Sequence, residues 1–540
     1  MNDGAETKVE WRAWGESALD VAARTGKPVL LSLSTNWSPE CAEMDRTTYS
    51  EPRIAANVND GFVPVRVDAD RHPRVRERYN MGGFPSTVFL TPEGRVITGA
   101  TFLGVDGFRG ILDAVRERWD GEGEAAGSVP RSLQDDSPPG GAVTDAIEEH
   151  MVAQLPAAYD EEFGGWGTDV KFPLPRTVEF ALVRAPEQAT RTLEAIRTHL
   201  LDTYDGGFYR VATVRDWSQP RREKLLDENA ALLRAFAHGY RYTGEEAYRQ
   251  TAERAVDYLT ETLWTGEGFA ASQAGDDEYY RLGPTDREDA DEPPVDETVL
   301  AGANGLAADA LLQLSAYTDD ERARRYAERT LDAIESSLID EDGAVVHYRD
   351  GSECGEAGLL QSHARVLAGL TTSGSVRGEL GPARVVADHA IDRLRAESGA
   401  FRDGPAEGPG LLDRPLYPLD ATVEFADALV DLAALTDEDR YRTVAREAVA
   451  AFAGAADRMG VEVASYASVA ARLQRPTVVR VGTPAGTDLH RAALRLVDHE
   501  TVVVPDAATV PNGDAVLDVA GENQGAASDP AALEQLLTDR

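Results

Sequence analysis

The sequence predicts a multidomain chain in which an α/β unit is followed by an all-α toroid and closed by a small α/β appendage. Three observations carry that prediction. Apolar strand-type runs alternate with helical stretches up to residue 119, helical periodicity alone occupies residues 142–473, and strand-type runs return in residues 474–540. Between the first two parts, residues 120–141 are rich in Gly, Pro, Ser and acid and read as a linker.

In the first part the apolar run Pro28 to Leu33 leads into Thr35-Asn36-Trp37, the turn Ser38-Pro39-Glu40-Cys41, and a helical stretch through Met44. Val63 to Val67 reads as a second strand, Arg74 to Tyr79 as a short helix, and Gly107 to Trp119 as a longer one. Gly82-Gly83-Phe84-Pro85-Ser86-Thr87 precedes the strand Val88-Phe89-Leu90 and the turn Thr91-Pro92-Glu93-Gly94. This order resembles a thioredoxin-like fold, in which a proline in the place of Pro85 is usually cis and faces the redox turn. Disulfide exchange needs one thiol to attack and a second to resolve. The attacking position is Ser38, whose hydroxyl is far too weak an acid to ionise at a helix N-terminus. Cys41 occupies the resolving position. Both are candidate catalytic residues, yet dithiol oxidoreductase activity is not expected, and a small buried core thiol is the plain alternative for Cys41.

The chain holds 94 acids against 54 bases, a formal net charge of -40, and its only lysines are Lys8, Lys27, Lys171 and Lys224. So dense an acidic surface repels itself in dilute buffer, which predicts adaptation to a high-salt cytoplasm. It argues against nucleic-acid or anionic-membrane partners. A hydrophobic content of 42% with helical periodicity argues against disorder. Met1 to Lys8 carry no secretory pattern, no run reaches the roughly 18 apolar residues of a membrane span, and two cysteines make no disulfide framework, so a cytoplasmic location is expected. No cofactor is indicated, and no Cys and His cluster has zinc spacing.

From Ala142 onward about twelve amphipathic helices can be counted, with stripes such as Ala252, Ala255, Val256, Leu259 and Leu263. Glycine-aromatic or glycine-acid loops separate them: Gly164-Gly165-Trp166, Gly206-Gly207-Phe208-Tyr209, Gly268-Phe269, Gly343-Ala344 and Gly399-Ala400-Phe401. Helix pairs punctuated this way predict α-hairpins in a ring, an (α/α)6 toroid; an open tetratricopeptide-type solenoid would have shorter, more uniform repeats. In the appendage, strands are expected at Pro476 to Val481, Thr501 to Pro505 and Ala515 to Val519, and helices at Asp488 to Leu496 and Asp529 to Leu537. The loop Gly482-Thr483-Pro484-Ala485-Gly486 lacks the Lys-Ser/Thr ending of a phosphate loop.

An ordered set of short elements carries a family resemblance. It comprises Val65-Arg66-Val67-Asp68, Gly82-Gly83-Phe84-Pro85, Gly164-Gly165 with Lys171-Phe172-Pro173, Gly206-Gly207-Phe208-Tyr209-Arg210, Arg215-Asp216-Trp217-Ser218, Glu223-Lys224-Leu225-Leu226 before Asn229-Ala230, Ala271-Ser272-Gln273, Asp296-Glu297, and Asn304-Gly305-Leu306. The chain resembles the spermatogenesis-associated protein 20-like family, a thioredoxin-like domain fused to a six-hairpin glycosidase-like barrel, as a divergent member of haloarchaeal type. The family's Cys-His-Trp-Cys turn is here Ser38-Pro39-Glu40-Cys41. Its Pro-His-Phe-Glu-Lys is Pro220-Arg221-Arg222-Glu223-Lys224, its Trp-Asn-Gly is Ala303-Asn304-Gly305, and an Asp-Tyr pair is Ser362-His363.

The resemblance and the loops name the remaining candidates. Glycoside chemistry on such toroids uses paired carboxylates. Glu223 is a candidate catalytic carboxylate, with the scarce Lys224 beside it as an expected ion-pair partner. Asp205, Asp216, Asp296, Trp166, Phe208, Tyr209 and Trp217 are candidate substrate-binding residues, as are Pro85, Asn229, Gln273 and Asn304. Solvated surface acids and aromatic rings that plug the toroid are the structural alternative. His238, His347, His363 and His389 are scattered along the sequence and form no nucleophilic constellation. Three functional readings follow: a carbohydrate-like ligand in the toroid with the thioredoxin-like part used for docking, single-thiol redox chemistry at Cys41, or a protein-binding scaffold. Composition alone predicts that thermal stability rises with molar KCl, measured by circular dichroism melting; equal stability in dilute buffer contradicts it.

Overall fold

In the computed structural model, which describes residues 7–134 and 137–538, the N-terminal part runs β1 (Arg12–Ala13), α1 (Glu16–Thr25), β2 (Val29–Ser34), α2 (Pro39–Thr47), α3 (Pro52–Gly61), β3 (Val63–Asp68), α4 (Pro73–Tyr79), β4 (Ser86–Leu90), β5 (Val96–Ala100) and α5 (Val105–Glu122). Most of the N-terminal segment read for targeting and two acids of the expected linker, Asp135 and Asp136, lie outside the described residues.

The strands form one sheet in the order β1-β3-β2-β4-β5, with β2 parallel to β3 and antiparallel to β4. Because side chains alternate across a strand, β2 feeds two cores. Leu30 packs with Phe89, Met44, Tyr49, Ile54, Phe108 and Leu112. Leu31 and Leu33 pack on the other side with Leu19, Val65, Val67, Val75, Tyr79, Val88 and Leu90, and this second core also contains Leu411 and Leu412, supplied from far along the chain. This is a thioredoxin-like fold. The helix expected over 107–119 is longer at both ends. The segment expected as a linker is tied down: Ser128 bridges Val96, Leu133 is buried in the second core, and Gly141 N–H donates to Ala450 O at 2.8 Å.

The following helices are α6 (Asp145–Ala158), α7 (Pro175–Arg184), α8 (Pro186–His199), α9 (Leu226–Thr243), α10 (Glu246–Tyr258), the short α11 (Pro284–Glu288), α12 (Ala301–Thr318), α13 (Glu321–Ser337), α14 (Leu360–Arg377), α15 (Ala383–Leu394), α16 (Leu419–Thr436), α17 (Asp439–Ala450) and α18 (Ala464–Gln474). Packing sorts twelve of them into two rings. The inner ring closes on itself as α7, α9, α12, α14, α16, α18 and back to α7, and each inner helix has one outer partner: α8, α10, α13, α15, α17 and α6 respectively. This is an (α/α)6 toroid. The inner helix α12 is buried at nearly every position from Ala301 to Tyr317, as a helix covered on all sides must be. The outer helix α13 buries one stripe only, Ala323, Ala327, Thr330, Leu331 and Ile334.

Beyond the toroid, the strands Val502–Val504, Thr477–Val481, Ala515–Val519 and Glu522–Ala527 form a sheet in that order. The last of these has no apolar alternation, which is why periodicity does not find it. This appendage covers one end of the toroid, where Arg241 donates to Leu496 O at 2.8 Å and the Tyr242 hydroxyl meets His499 Nδ1 at 2.9 Å.

The thioredoxin-like part covers the other end. Its α4 region inserts three arginines among toroid loops. Arg78 ion-pairs with Asp403 at 2.5 Å and donates to the carbonyls of Leu411 and Arg414 at 2.8 Å each. Arg74 reaches Glu356 at 2.6 Å and the carbonyls of Pro405 and Leu412 at 2.7 Å each. Arg71 reaches Asp350 and Thr298, both at 2.6 Å. Arg74 and Arg78 are each only 3% exposed, so their charges depend wholly on these partners. No helix among the described residues is long and apolar enough to cross a membrane. Replacing Arg78 by Ala strands the Asp403 carboxylate and several carbonyls, and is expected to lower unfolding stability by about 3–5 kcal/mol in a urea titration; a change within about 0.5 kcal/mol, the range of an ordinary surface substitution, would contradict this account.

Candidate functional site

Ser38 caps α2: its hydroxyl oxygen accepts from the Cys41 N–H at 3.4 Å and donates to Glu40 Oε2 at 3.2 Å. Glu40 is ion-paired with Arg221 of the toroid; burial works against its charged form, but the guanidinium prevails and holds the carboxyl below its ordinary range. Ser38 and Cys41 are both buried, and burial pushes the Cys41 thiol up. The Phe84–Pro85 peptide is cis. Phe84 meets Trp37 edge-on with centroids 5.8 Å apart, and the Trp37 indole N–H donates to Asp70 Oδ2 at 2.8 Å. The turn therefore faces the toroid. Gly275 N–H donates to Trp37 O at 3.3 Å, and the Arg210 guanidinium lies 4.7 Å from the Trp37 ring centre.

Several candidates from the sequence hold loops in place. Asn229 and Asn304 are each the fourth residue of an inner helix. Asn229 accepts the Phe208 N–H at 2.6 Å and donates to Phe208 O and Leu225 O; Asn304 accepts the Phe269 N–H at 2.8 Å and donates to Phe269 O and Leu300 O. His363 occupies the same place in α14 and accepts the Val345 N–H at 3.3 Å. These are equivalent clamps in three of the six hairpins.

The two buried lysines are equivalent as well. Lys171 reaches Asp160 at 2.9 Å and the carbonyls of Gly164 and Gly167; Lys224 reaches Asp202 at 2.9 Å and Gly206 O. The expected Glu223–Lys224 ion pair is not formed. Lys224 is buried against Asp202, while Glu223, its carboxyl raised by burial, lies 3.7 Å from Arg210. Gly206 at φ 76° approaches helix α10 so closely that a Cβ would stand 2.4 Å from Arg254 O.

The aromatic candidates pack inward. Trp166 donates to Leu155 O at 3.1 Å, Trp217 to Phe163 O at 3.1 Å, Phe208 stacks on Phe236, and Tyr209 meets Tyr280 edge-on. Asp205 is bound by Arg287 at 2.6 Å, Gln273 accepts the Tyr280 hydroxyl at 3.0 Å, and Asp216 is exposed with Ser218 as its partner. Asp296 accepts from Asn36 at 2.7 Å across the interface, and the same amide donates to Asp68 at 3.2 Å.

What the structure does bring together is a cavity of about 260 Å³ between the two parts. The thioredoxin-like part contributes Trp37, Phe84, Asp70, Arg76 and Asn80. The toroid contributes Arg210, the first turn of α9 with Asp227 and Glu228, the first turn of α12, and His347, Gln361 and Arg365. Glu228 Oε1 lies 3.4 Å from Arg210 Nε, while its Oε2 is buried with no partner. About 33% of the Glu228 side chain is accessible, through atoms other than Oε2, and the residue lines this cavity. Burial, partly opposed by Arg210 and reinforced by Asp227, pushes the Glu228 carboxyl up to about 8. Asp70 is also pushed up by burial, against Arg76 and the Trp37 N–H.

His347 Nε2 donates to Asp70 O at 2.8 Å, so Nδ1 accepts from the Ser362 hydroxyl at 3.0 Å and neither nitrogen is a free base. Burial holds this imidazole down at about 4. Arg365 donates to Glu424 at 2.9 Å and Asp227 at 3.4 Å, and separates the cavity from a smaller axial chamber of about 90 Å³. That chamber is crossed by ion pairs, Arg234 with Glu179 and Asp309, and Arg472 with Asp431 and Asp427.

The sequence candidates miss this cavity by single residues: Glu228 precedes Asn229, Phe84 precedes Pro85, and Arg210 follows Tyr209. The missed signal was position on an inner helix. Glu228 stands one residue before the clamp Asn229, so it points into the ring.

Residues 1–135 match the family model Thioredox_DsbH, described as a protein of unknown function, DUF255. Spermatogenesis-associated protein 20 of Homo sapiens is 28% identical over 329 residues, 54% of this chain and 40% of the human protein. The chain is a homologue of spermatogenesis-associated protein 20. The spermatogenesis-associated protein 20 relatives are thus matched over well under two thirds of their length. Cellobiose 2-epimerase of Bacteroides fragilis is 29% identical over 154 residues, 28% of this chain and 36% of that protein. The solved cellobiose 2-epimerase of Spirochaeta thermophila superposes with a TM-score of 0.45 at 17% identity, covering 57% of this chain and 82% of that one.

The two free cysteines differ: Cys354 is exposed and Cys41 buried. Native iodoacetamide treatment followed by mass spectrometry is expected to label Cys354 alone, with Cys41 reacting only after unfolding. Fast native labelling of Cys41 would show the turn to be open.

Proposed function

We propose that this protein binds a small carbohydrate-like molecule in the cavity between its thioredoxin-like part and its toroid, and that it performs no dithiol exchange. The observation that carries the reading is the cavity itself, where polar side chains of the toroid face the Trp37 and Phe84 rings of the thioredoxin-like part. The surroundings suit a polyhydroxylated guest. Glu228 offers a carboxyl, Gln361 an amide, Arg365 and Arg210 guanidinium edges, and Trp37 and Phe84 an apolar wall. The volume sits near the lower end of small-molecule sites, roughly 300 Å³. The cellobiose 2-epimerase relative, a sugar-acting protein by its name, supports the same class of ligand.

Ser38 stands where the attacking thiol would be, and Cys41 lies behind it with a raised pKa and Glu40 locked to Arg221. A thiolate is therefore disfavoured, and the single-thiol reading loses its nucleophile. His347 has both nitrogens committed, which favours binding over proton abstraction by that residue.

In molar KCl, a panel of monosaccharides and disaccharides is expected to contain members that raise the melting temperature saturably, by up to about 2.7 kcal/mol of stabilisation at a hundredfold excess over Kd. Glu228→Ala should remove the shift. A flat panel overturns the reading. Insulin reduction by dithiothreitol should proceed no faster with the protein than without it.

A further inference from the structure

Three residues that hold the same place in successive hairpins meet at the cavity. Glu228, Ala303 and Ser362 are each the third residue of an inner helix, directly before the clamps Asn229, Asn304 and His363, and all three line this space. In the ring α12 stands between α9 and α14, so Ala303 stands between the other two. Those two are engaged. Glu228 lies against Arg210 at 3.4 Å, and the Ser362 hydroxyl donates to His347 Nδ1 at 3.0 Å. Ala303 supplies only a methyl group, and the room over α12 is what a longer side chain there would take.

The inner end of this room is fixed. Arg365 separates it from the axial chamber, with its Nε 2.9 Å from Glu424, and its stem runs so close to α12 that a Cβ on Gly302 would stand 3.3 Å from Arg365 Cδ. Among the described residues of the lining Asn80 alone is fully exposed, which places the mouth there. The volume between mouth and floor, about 260 Å³, falls below the roughly 300–1,000 Å³ that drug-sized ligands occupy.

We infer that the guest is a single sugar ring seated over the first turn of α12, and that Ala303 is the residue that sets its size. The inference rests on the carbohydrate reading of the cavity and narrows it to monosaccharides. A pyranose presents C–H groups on its faces and hydroxyls around its edge. Phe84, Leu300 and the Ala303 methyl offer apolar surface to the former, and Asp70, Gln361 and Arg365 offer polar groups to the latter. A second ring has no place further in, because Arg365 is held there from both sides.

The test is calorimetric titration of the full chain in molar KCl with glucose, mannose and galactose, and with cellobiose, mannobiose and lactose, which are built from the same rings. A second ring held inside the site would tighten binding on the order of a hundredfold. Each disaccharide is therefore expected to bind no more than about fivefold more tightly than the better of its component sugars. Ala303→Leu should weaken the tightest monosaccharide by at least about tenfold, while Ala303→Ser keeps its affinity within about threefold. Without sugar, Ala303→Leu should melt no lower than the unaltered protein, since its added carbons enter the cavity. If it does melt lower, the comparison of single and double rings on the unaltered protein decides. A disaccharide beyond the fivefold limit, or a stable Ala303→Leu protein that keeps its monosaccharide affinity, overturns this inference alone. If none of these sugars binds, and the wider panel is flat, the carbohydrate reading falls and takes this inference with it.

Discussion

The clasp of α4 into the toroid is the interaction on which the rest of the molecule depends. Arg74 and Arg78 bring two guanidinium groups to an interior where each must be fully paired, and the pairing is supplied by Asp403, Glu356 and a ring of carbonyls from residues 405–414. The same stretch sends Leu411 and Leu412 into the second core of the thioredoxin-like sheet. Charge pairing and apolar burial thus act on one segment from two sides. Neither part is complete without the other, and this fixes Trp37 and Asp70 over the inner helices.

That fixed placement explains the altered turn. In a thioredoxin-like protein the turn must be reachable by a partner's disulfide. Here it abuts the toroid, with Glu40 on Arg221 and Arg210 against the Trp37 ring. A thiolate at position 38 would sit beside Glu40 and close to Glu223, surroundings that disfavour another negative charge. Ser38 as a helix cap suits this place better than a nucleophile, because a hydroxyl satisfies the Cys41 N–H without carrying charge.

Much of the fold was legible in the sequence because it rests on local signals. The strand before Ser38, the Gly-Gly-Phe-Pro element and the helical stripes all follow from periodicity and turn chemistry, and the Gly-Gly loops marked the hairpins correctly. The site was less legible. Asn229, Asn304, Trp166 and Trp217 stand out as polar or aromatic residues in ordered motifs, yet they clamp and fill the hairpin loops, a duty that also demands particular residue types. Glu228 and Asp70 carried no such mark in a chain of 94 acids. Their significance comes from burial and from a wall that belongs to a distant part of the chain, and neither quantity is written locally.

The participation of Leu411 and Leu412 in the N-terminal core sets an order of events during synthesis. The sheet that contains Leu31 and Leu90 leaves the ribosome long before its last two core residues exist. At about 5–20 residues per second, tens of seconds pass before they are made. Through that interval Val75 and Tyr79 lack the part of their cover that Leu411 and Leu412 supply, and the two α4 arginines lack their toroid partners. The nascent N-terminal part is a half-finished surface that only the arrival of the fifth hairpin can close, so its maturation is governed by the C-terminal half of the toroid.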